Sequence, residues 1–212
     1  ARGRGRGASA IAAVLLAIRL AVTAGLQPAF SEAAPQRLNL RYAEKDGKAF
    51  WMADPVERLP PALRAVARFS TNPEMLVERA YIAPAGQARL TAPRATVSRD
   101  GHRVTLALEA PGDGVLLMAP PEAGLRRVSV NDVTVVVPRG PVMVMCGTPD
   151  CGRARMTLEV DARGPLSLTL ASLSRGLPPE GAALIKARGN LAVPSQTGDR
   201  TLRVATIRVP AR

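Results

Sequence analysis

Apolar and polar residues alternate with a period of two through most of this chain, which is the mark of half-buried β-strands. Arg37-Leu38-Asn39-Leu40-Arg41-Tyr42 alternates in this way, Asp46-Gly47 supplies a turn, and Lys48-Ala49-Phe50-Trp51-Met52-Ala53 returns as the partner of a β-hairpin. The only tryptophan of the chain lies in that hairpin, where it is expected to be a packing anchor. Pro60-Pro61 then opens a short helix over 62–69, because proline in a first turn gives up a backbone donor that has no partner there anyway. Asn72-Pro73 closes it.

Short alternating runs follow at 76–82, 95–98, 103–109, 114–118, 126–130, 133–137, 142–145, 154–160, 166–173 and 201–209. Turn residues separate them at Asp100-Gly101, Pro111-Gly112-Asp113-Gly114, Asn131-Asp132, Pro138-Arg139-Gly140, Arg163-Gly164-Pro165 and Gly198-Asp199. Asn131-Asp132, between Val-Ser-Val and Val-Thr-Val-Val-Val, is a hairpin signal because both residues tolerate the positive φ of a type I′ turn. No helix long enough for a parallel crossover lies between these strands. The pattern predicts an all-β (β-dominated) fold, an antiparallel β-sandwich over 36–212. Aromatic residues make up only 3% of the chain, so its core must be aliphatic.

The N-terminal 1–30 reads differently. ASAIAAVLLAIRLAVTAGL, from Ala8 to Leu26, is about as long as a bilayer span and carries one charge, Arg19. It predicts a transmembrane or signal-like helix, joined to the β domain by a polar linker over 31–35. Arg2, Arg4 and Arg6 precede it and no basic residue lies in 27–35, so the positive-inside rule puts the N-terminus in the cytoplasm and the β domain outside. A signal peptide with an apolar stretch at 11–18 and cleavage near 29–32, or an amphipathic helix lying in the interface, fits the same residues. The first residue is Ala1, as expected of a processed product or of a piece of a longer polypeptide; in the second case this helix would be the last of several spans.

The formal charge of +12 raises the question of an anionic partner. Of the 29 basic residues all but Lys45, Lys48 and Lys186 are arginine, and they stand singly between apolar residues. A nucleic-acid surface would cluster them and interleave aromatics, so a solvated basic surface and no nucleic-acid partner are expected.

Cys146 and Cys151 flank Gly147-Thr148-Pro149-Asp150, a turn-rich loop able to bring two strand ends within bridging distance. A disulfide, and with it an oxidising compartment, is the favoured reading over half of a metal site, because His102 is the only histidine. For the same reason the usual zinc sets are lacking, and His102, just after Asp100-Gly101, is expected as an exposed turn residue. Ser172, Ser174 and Ser195 could in principle join it in a triad, but none stands in a Gly-x-Ser-x-Gly elbow. Met143, Met145 and Cys146, with Met118 and Met156 elsewhere, could offer soft copper ligands; core filling by the methionines is the expected alternative. Asp46, Asp54, Asp100, Asp113, Asp132, Asp150, Asp161 and Asp199 fall almost entirely in turns, without the dense spacing of a calcium loop. No catalytic, cofactor or metal residue is therefore expected in this chain.

Several stretches resemble the C-terminal extracytoplasmic part of multi-spanning zinc exopeptidases of the endoplasmic-reticulum-metallopeptidase type and their bacterial relatives. They are Pro35-Gln36-Arg37-Leu38-Asn39-Leu40-Arg41-Tyr42 through Ala49-Phe50-Trp51, Cys146-Gly147-Thr148-Pro149-Asp150-Cys151-Gly152, Arg155-Met156-Thr157-Leu158-Glu159-Val160, Arg175-Gly176-Leu177-Pro178, Ala187-Arg188, and Val193-Pro194-Ser195-Gln196-Thr197-Gly198-Asp199-Arg200-Thr201. Arg188-Gly189 stands where an Arg-Pro pair would be expected. The resemblance implies a non-catalytic accessory domain with the peptidase domain of the same polypeptide and the membrane as its partners. Zinc would be held only upstream, in the peptidase domain of a parent metallopeptidase. The rival expectation is a stand-alone secreted or membrane-anchored β-sandwich binding module for a glycan, a peptide or an envelope partner.

Overall fold

The computed structural model describes Leu16, Arg19 and residues 30–54, 59–71, 80–131, 133–138 and 140–212. Leu16 and Arg19 are helical, but the expected membrane or signal helix otherwise lies outside the described residues. Among those described, no helix is long and apolar enough to cross a membrane.

The structure is β-dominated, as the alternation predicts, and its hairpins follow the turn chemistry. Strand β2 (Leu40–Lys45) and strand β3 (Lys48–Ala53) pair antiparallel across Asp46-Gly47, whose φ angles of 50° and 74° are both left-handed. That pair of positive φ values matches the right-handed twist of the flanking strands. Strands β6 (Arg94–Asp100) and β7 (Arg103–Glu109) meet at Gly101-His102. Strands β9 (Leu125–Val130) and β10 (Val133–Val136) close through Asn131 at φ 45°; Asp132 lies outside the described residues.

These strands form two large sheets. Five run in the order β10-β9-β12-β7-β6, with β12 at Arg155–Val160. Eight run in the order β11-β8-β13-β15-β2-β3-β5-β4, with β4 at Ser70–Thr71, β5 at Tyr81–Ala85, β8 at Gly114–Ala119, β11 at Val142–Cys146, β13 at Leu166–Arg175 and β15 at Arg200–Val209. Strands β1 (Gln36–Arg37) and β14 (Ala192–Val193) make a small separate pair.

The expectation of purely antiparallel pairing is corrected at two places: β15 runs parallel to β2, and β1 runs parallel to β14. Both join the two ends of the described β region, so the intervening chain acts as the long connection that parallel neighbours need. Of the strand expected at 76–82, residues 76–79 lie outside the described residues; the described strand starts at Tyr81 and continues past the expected end to Ala85.

One face of the eight-stranded sheet carries two cores. Under the five-stranded sheet, Leu106, Leu158, Leu117, Leu168 and Leu170 from β7, β12, β8 and β13 interdigitate at no more than 1% exposure. At full burial each such leucine contributes about 1.5–3 kcal/mol of transfer free energy. Beyond β15 the cover changes to two helices, α1 (Pro61–Val66) and α2 (Ala182–Arg188), whose Leu63 and Leu184 pack on Leu40, Tyr42 and Trp51. Trp51 is the expected anchor: it faces Tyr42 across the β2–β3 pair with ring centroids 5.1 Å apart at 61°, an edge-to-face contact. Helix α1 stops earlier than expected, at Val66, because Ala67 turns extended. Helix α2 has no counterpart in the sequence expectations. The opposite face of the sheet holds a smaller cluster around Met52, Ile82, Ala171 and Leu202.

Candidate functional site

A buried polar network fastens the end of β2 to helix α2 and the loop before β15. Arg188 Nη1 lies 2.6 Å from Asp199 Oδ1, with the two side chains 8% and 10% exposed. The same guanidinium nitrogen donates to the Leu38 carbonyl at 3.3 Å, and the Leu40 amide donates to Asp199 Oδ1 at 2.8 Å. Beside it Asn39, 1% exposed, holds Asp54 at 2.8 Å, Ser195 Oγ at 2.6 Å and Thr197 Oγ1 at 2.9 Å around its side-chain nitrogen, while its oxygen accepts the Ser195 amide at 2.8 Å. Two protons are thus shared among three oxygens. Arg41 closes the network on Asp54 at 2.6 Å. Charges this deep persist only when paired and hydrogen-bonded, and here nearly every polar atom has a partner. Arg188 departs in this way from the expected solvated basic surface.

Cys146 and Cys151 form a disulfide, with Cα atoms 5.8 Å apart. A short 3-10 turn at Pro149–Arg153 brings the second cysteine back beneath the end of β11, and the Ala110 amide donates to the Gly152 carbonyl at 2.8 Å.

The disulfide borders an apolar groove of about 570 Å³ between β10 and β11, the terminal strands of the two sheets on that side. Val133, Val135 and Val137 line one lip, and Met143 and Met145 the other. Core filling by these two methionines is corrected: they are 68% and 67% exposed, because β11 is a terminal strand and no described element covers that side of it. Met118 sits opposite Met143 on β8, whereas Met156 is wholly buried in the core between the sheets. The four methionines therefore do not converge, and the sulfur of Cys146 is taken up by Cys151.

His102 stands exposed at the β6–β7 turn. Its Nδ1 lies 2.9 Å from the Val160 carbonyl, which can only accept, so the ring donates there and its Nε2 accepts from Arg212 at 3.2 Å. None of the three candidate serines joins it: Ser195 belongs to the Asn39 network, and Ser174 accepts from Arg203 Nη2. Ser172, fully buried opposite Arg203, has no hydrogen-bond partner for its hydroxyl among the described residues, nor has Arg203 Nε. Burial lowers the pKa of Arg203, and the nearby Asp113 carboxylate works against that shift. Among the described residues no three His, Cys, Asp or Glu side chains gather as metal ligands would. The expectation that the turn aspartates bond only their own backbone is corrected for several of them: Asp113 accepts the Arg175 amide at 2.7 Å, Asp161 pairs with Arg126 at 2.8 Å, and Asp54 and Asp199 belong to the Asn39 and Arg188 network.

Two features escaped the sequence reading. The Arg188–Asp199 pair left no signal because an arginine at the end of a short helix and an aspartate in a separate loop do not announce burial. The exposed Val133–Val136 run was legible as a strand, but its terminal position depends on sheet order. Compared with known protein families, characterised proteins and solved structures, the chain matches none of them.

Proposed function

We propose that this chain is the non-catalytic C-terminal accessory domain of a membrane-bound zinc exopeptidase, a β-sandwich held outside the membrane that supports or docks the peptidase domain of the same polypeptide. One observation carries this reading. Three of the stretches on which the resemblance rests, around Leu38–Leu40 at one end and around Arg188 and Ser195, Thr197 and Asp199 at the other, meet in a single buried network. Residues brought together to satisfy one buried ion pair form a structural unit, so these three motifs belong to one scaffold. The disulfide supports an oxidising, extracytoplasmic setting, and the N-terminal apolar stretch is the anchor in this reading. Zinc and the reacting groups belong upstream, in the peptidase domain.

Reading the native gene on both sides of this segment tests the proposal. A zinc-peptidase domain followed by several apolar spans in frame with Ala1 is expected. An open reading frame that starts with Met immediately before Ala1 contradicts it.

The second reading, a stand-alone binding module, draws on the apolar groove between β10 and β11. It differs in one outcome: mature protein beginning near Ser31 would appear in the soluble envelope fraction.

A further inference from the structure

Sheet edges invite pairing with another chain, and among the described residues three of the four edges of the two large sheets are guarded or interrupted. At the far edge of the five-stranded sheet, β6 carries Arg94, Arg99 and Asp100, and the Arg99 guanidinium is tied to the carbonyls of Ala162, Gly164 and Pro210. The far edge of the eight-stranded sheet, β4, is only two residues long. β11 begins directly after Pro141, which has no backbone donor. Strand β10 has none of these devices. It reads Val133-Thr134-Val135-Val136, carries no charge, and every one of its residues is exposed.

Its hydrogen-bonding groups alternate in direction. Val137 donates to the Arg126 carbonyl of β9 at 3.0 Å, so Val135 and Val133 also turn their backbone groups inward, and Thr134 and Val136 turn theirs outward. The side-chain hydroxyl pair of Thr134 and Ser129, 2.7 Å apart, fits that register.

We propose that this edge joins two copies of the chain, their β10 strands pairing antiparallel about a two-fold axis at Val135. Thr134 of one copy then faces Val136 of the other, and both outward pairs exchange N–H···O=C bonds. The strand is self-complementary about its own centre, as an isologous two-fold interface requires. Charge favours a second copy over other occupants. A chain of net +12 repels itself over most of its surface, yet the arginines next to this edge are neutralised, Arg126 by Asp161 and Arg127 by Glu159. Among the described residues the edge therefore carries no uncompensated charge to attract an acidic or a basic partner, and none to repel its own copy.

The test uses the full chain in detergent micelles, with its mass measured by light scattering corrected for bound detergent. Wild type is a dimer at micromolar concentration. Val135→Lys sets two ammonium groups against each other at the axis and yields monomer, while Thr96→Lys on the exposed face of β6 leaves the dimer intact. Circular dichroism of each variant keeps loss of folding distinct from loss of the interface. Amide exchange gives a second readout: Thr134 and Val136 are protected in the dimer and exchange on dilution. A monomeric wild type overturns the proposal, as does a folded Val135→Lys variant that stays dimeric, or a strand from another polypeptide seated on β10 of a monomeric chain.

Discussion

Arg188 and Asp199 meet at 2.6 Å in a setting where each is at least nine-tenths buried, and through them helix α2 and the loop before β15 are locked onto β2. Removing one partner leaves the other charge buried without compensation, which costs about 3–5 kcal/mol. Arg188→Met and Asp199→Asn are each expected to lose stability on that scale in urea unfolding. The double variant is expected to lose much less than the sum, because Asn still accepts the Leu40 amide and no charge is stranded.

Tyr42 titrates far from its ordinary value. Burial, above all, pushes its phenol from 10 up to about 12, reinforced by the Glu44 carboxylate and opposed by the Ala88 amide that donates to it at 2.7 Å. The folded state therefore keeps a proton that the unfolded chain releases, so this contribution is full below pH 10 and disappears as pH rises toward 12. Unfolding measured across that window is expected to show stability falling by roughly 1–3 kcal/mol. Tyr42→Phe should flatten that part of the profile, even if it lowers stability overall by leaving the Ala88 amide unpaired.

The hairpins were written in the sequence because both their determinants are local. Asp46-Gly47 tolerates positive φ at adjacent positions, and alternation on either side fixes which residues face the core. The disulfide was legible for the same reason, as Cys146 and Cys151 sit five residues apart around a turn. What escaped depends on residues distant in sequence. The parallel register of Leu202 against Ala43 is set by which face each strand must bury, and nothing near either residue encodes the partner. Helix α2, with Leu184 buried and Arg188 paired, is too short for its periodicity to stand out.

The disulfide closes a short loop, so its effect on the unfolded chain is modest. Loop-closure entropy gives about 2 kcal/mol for a ring of this size. Cys146→Ser with Cys151→Ser is expected to lower unfolding stability by that amount while far-ultraviolet circular dichroism stays unchanged. Labelling of the unreduced, denatured protein with a thiol reagent should find no reactive cysteine in the wild type; two labels per chain would show that the bridge does not form.

The central claim is that this domain belongs to a larger membrane polypeptide that carries the peptidase. An antibody raised against the β domain, used on the separated membrane and soluble fractions of native cells, tests it directly. A membrane-bound band far above the 22.3 kDa of this chain is expected, and peptides from a zinc-peptidase domain should be found in it by mass spectrometry. A band near 22.3 kDa, in either fraction, contradicts the account.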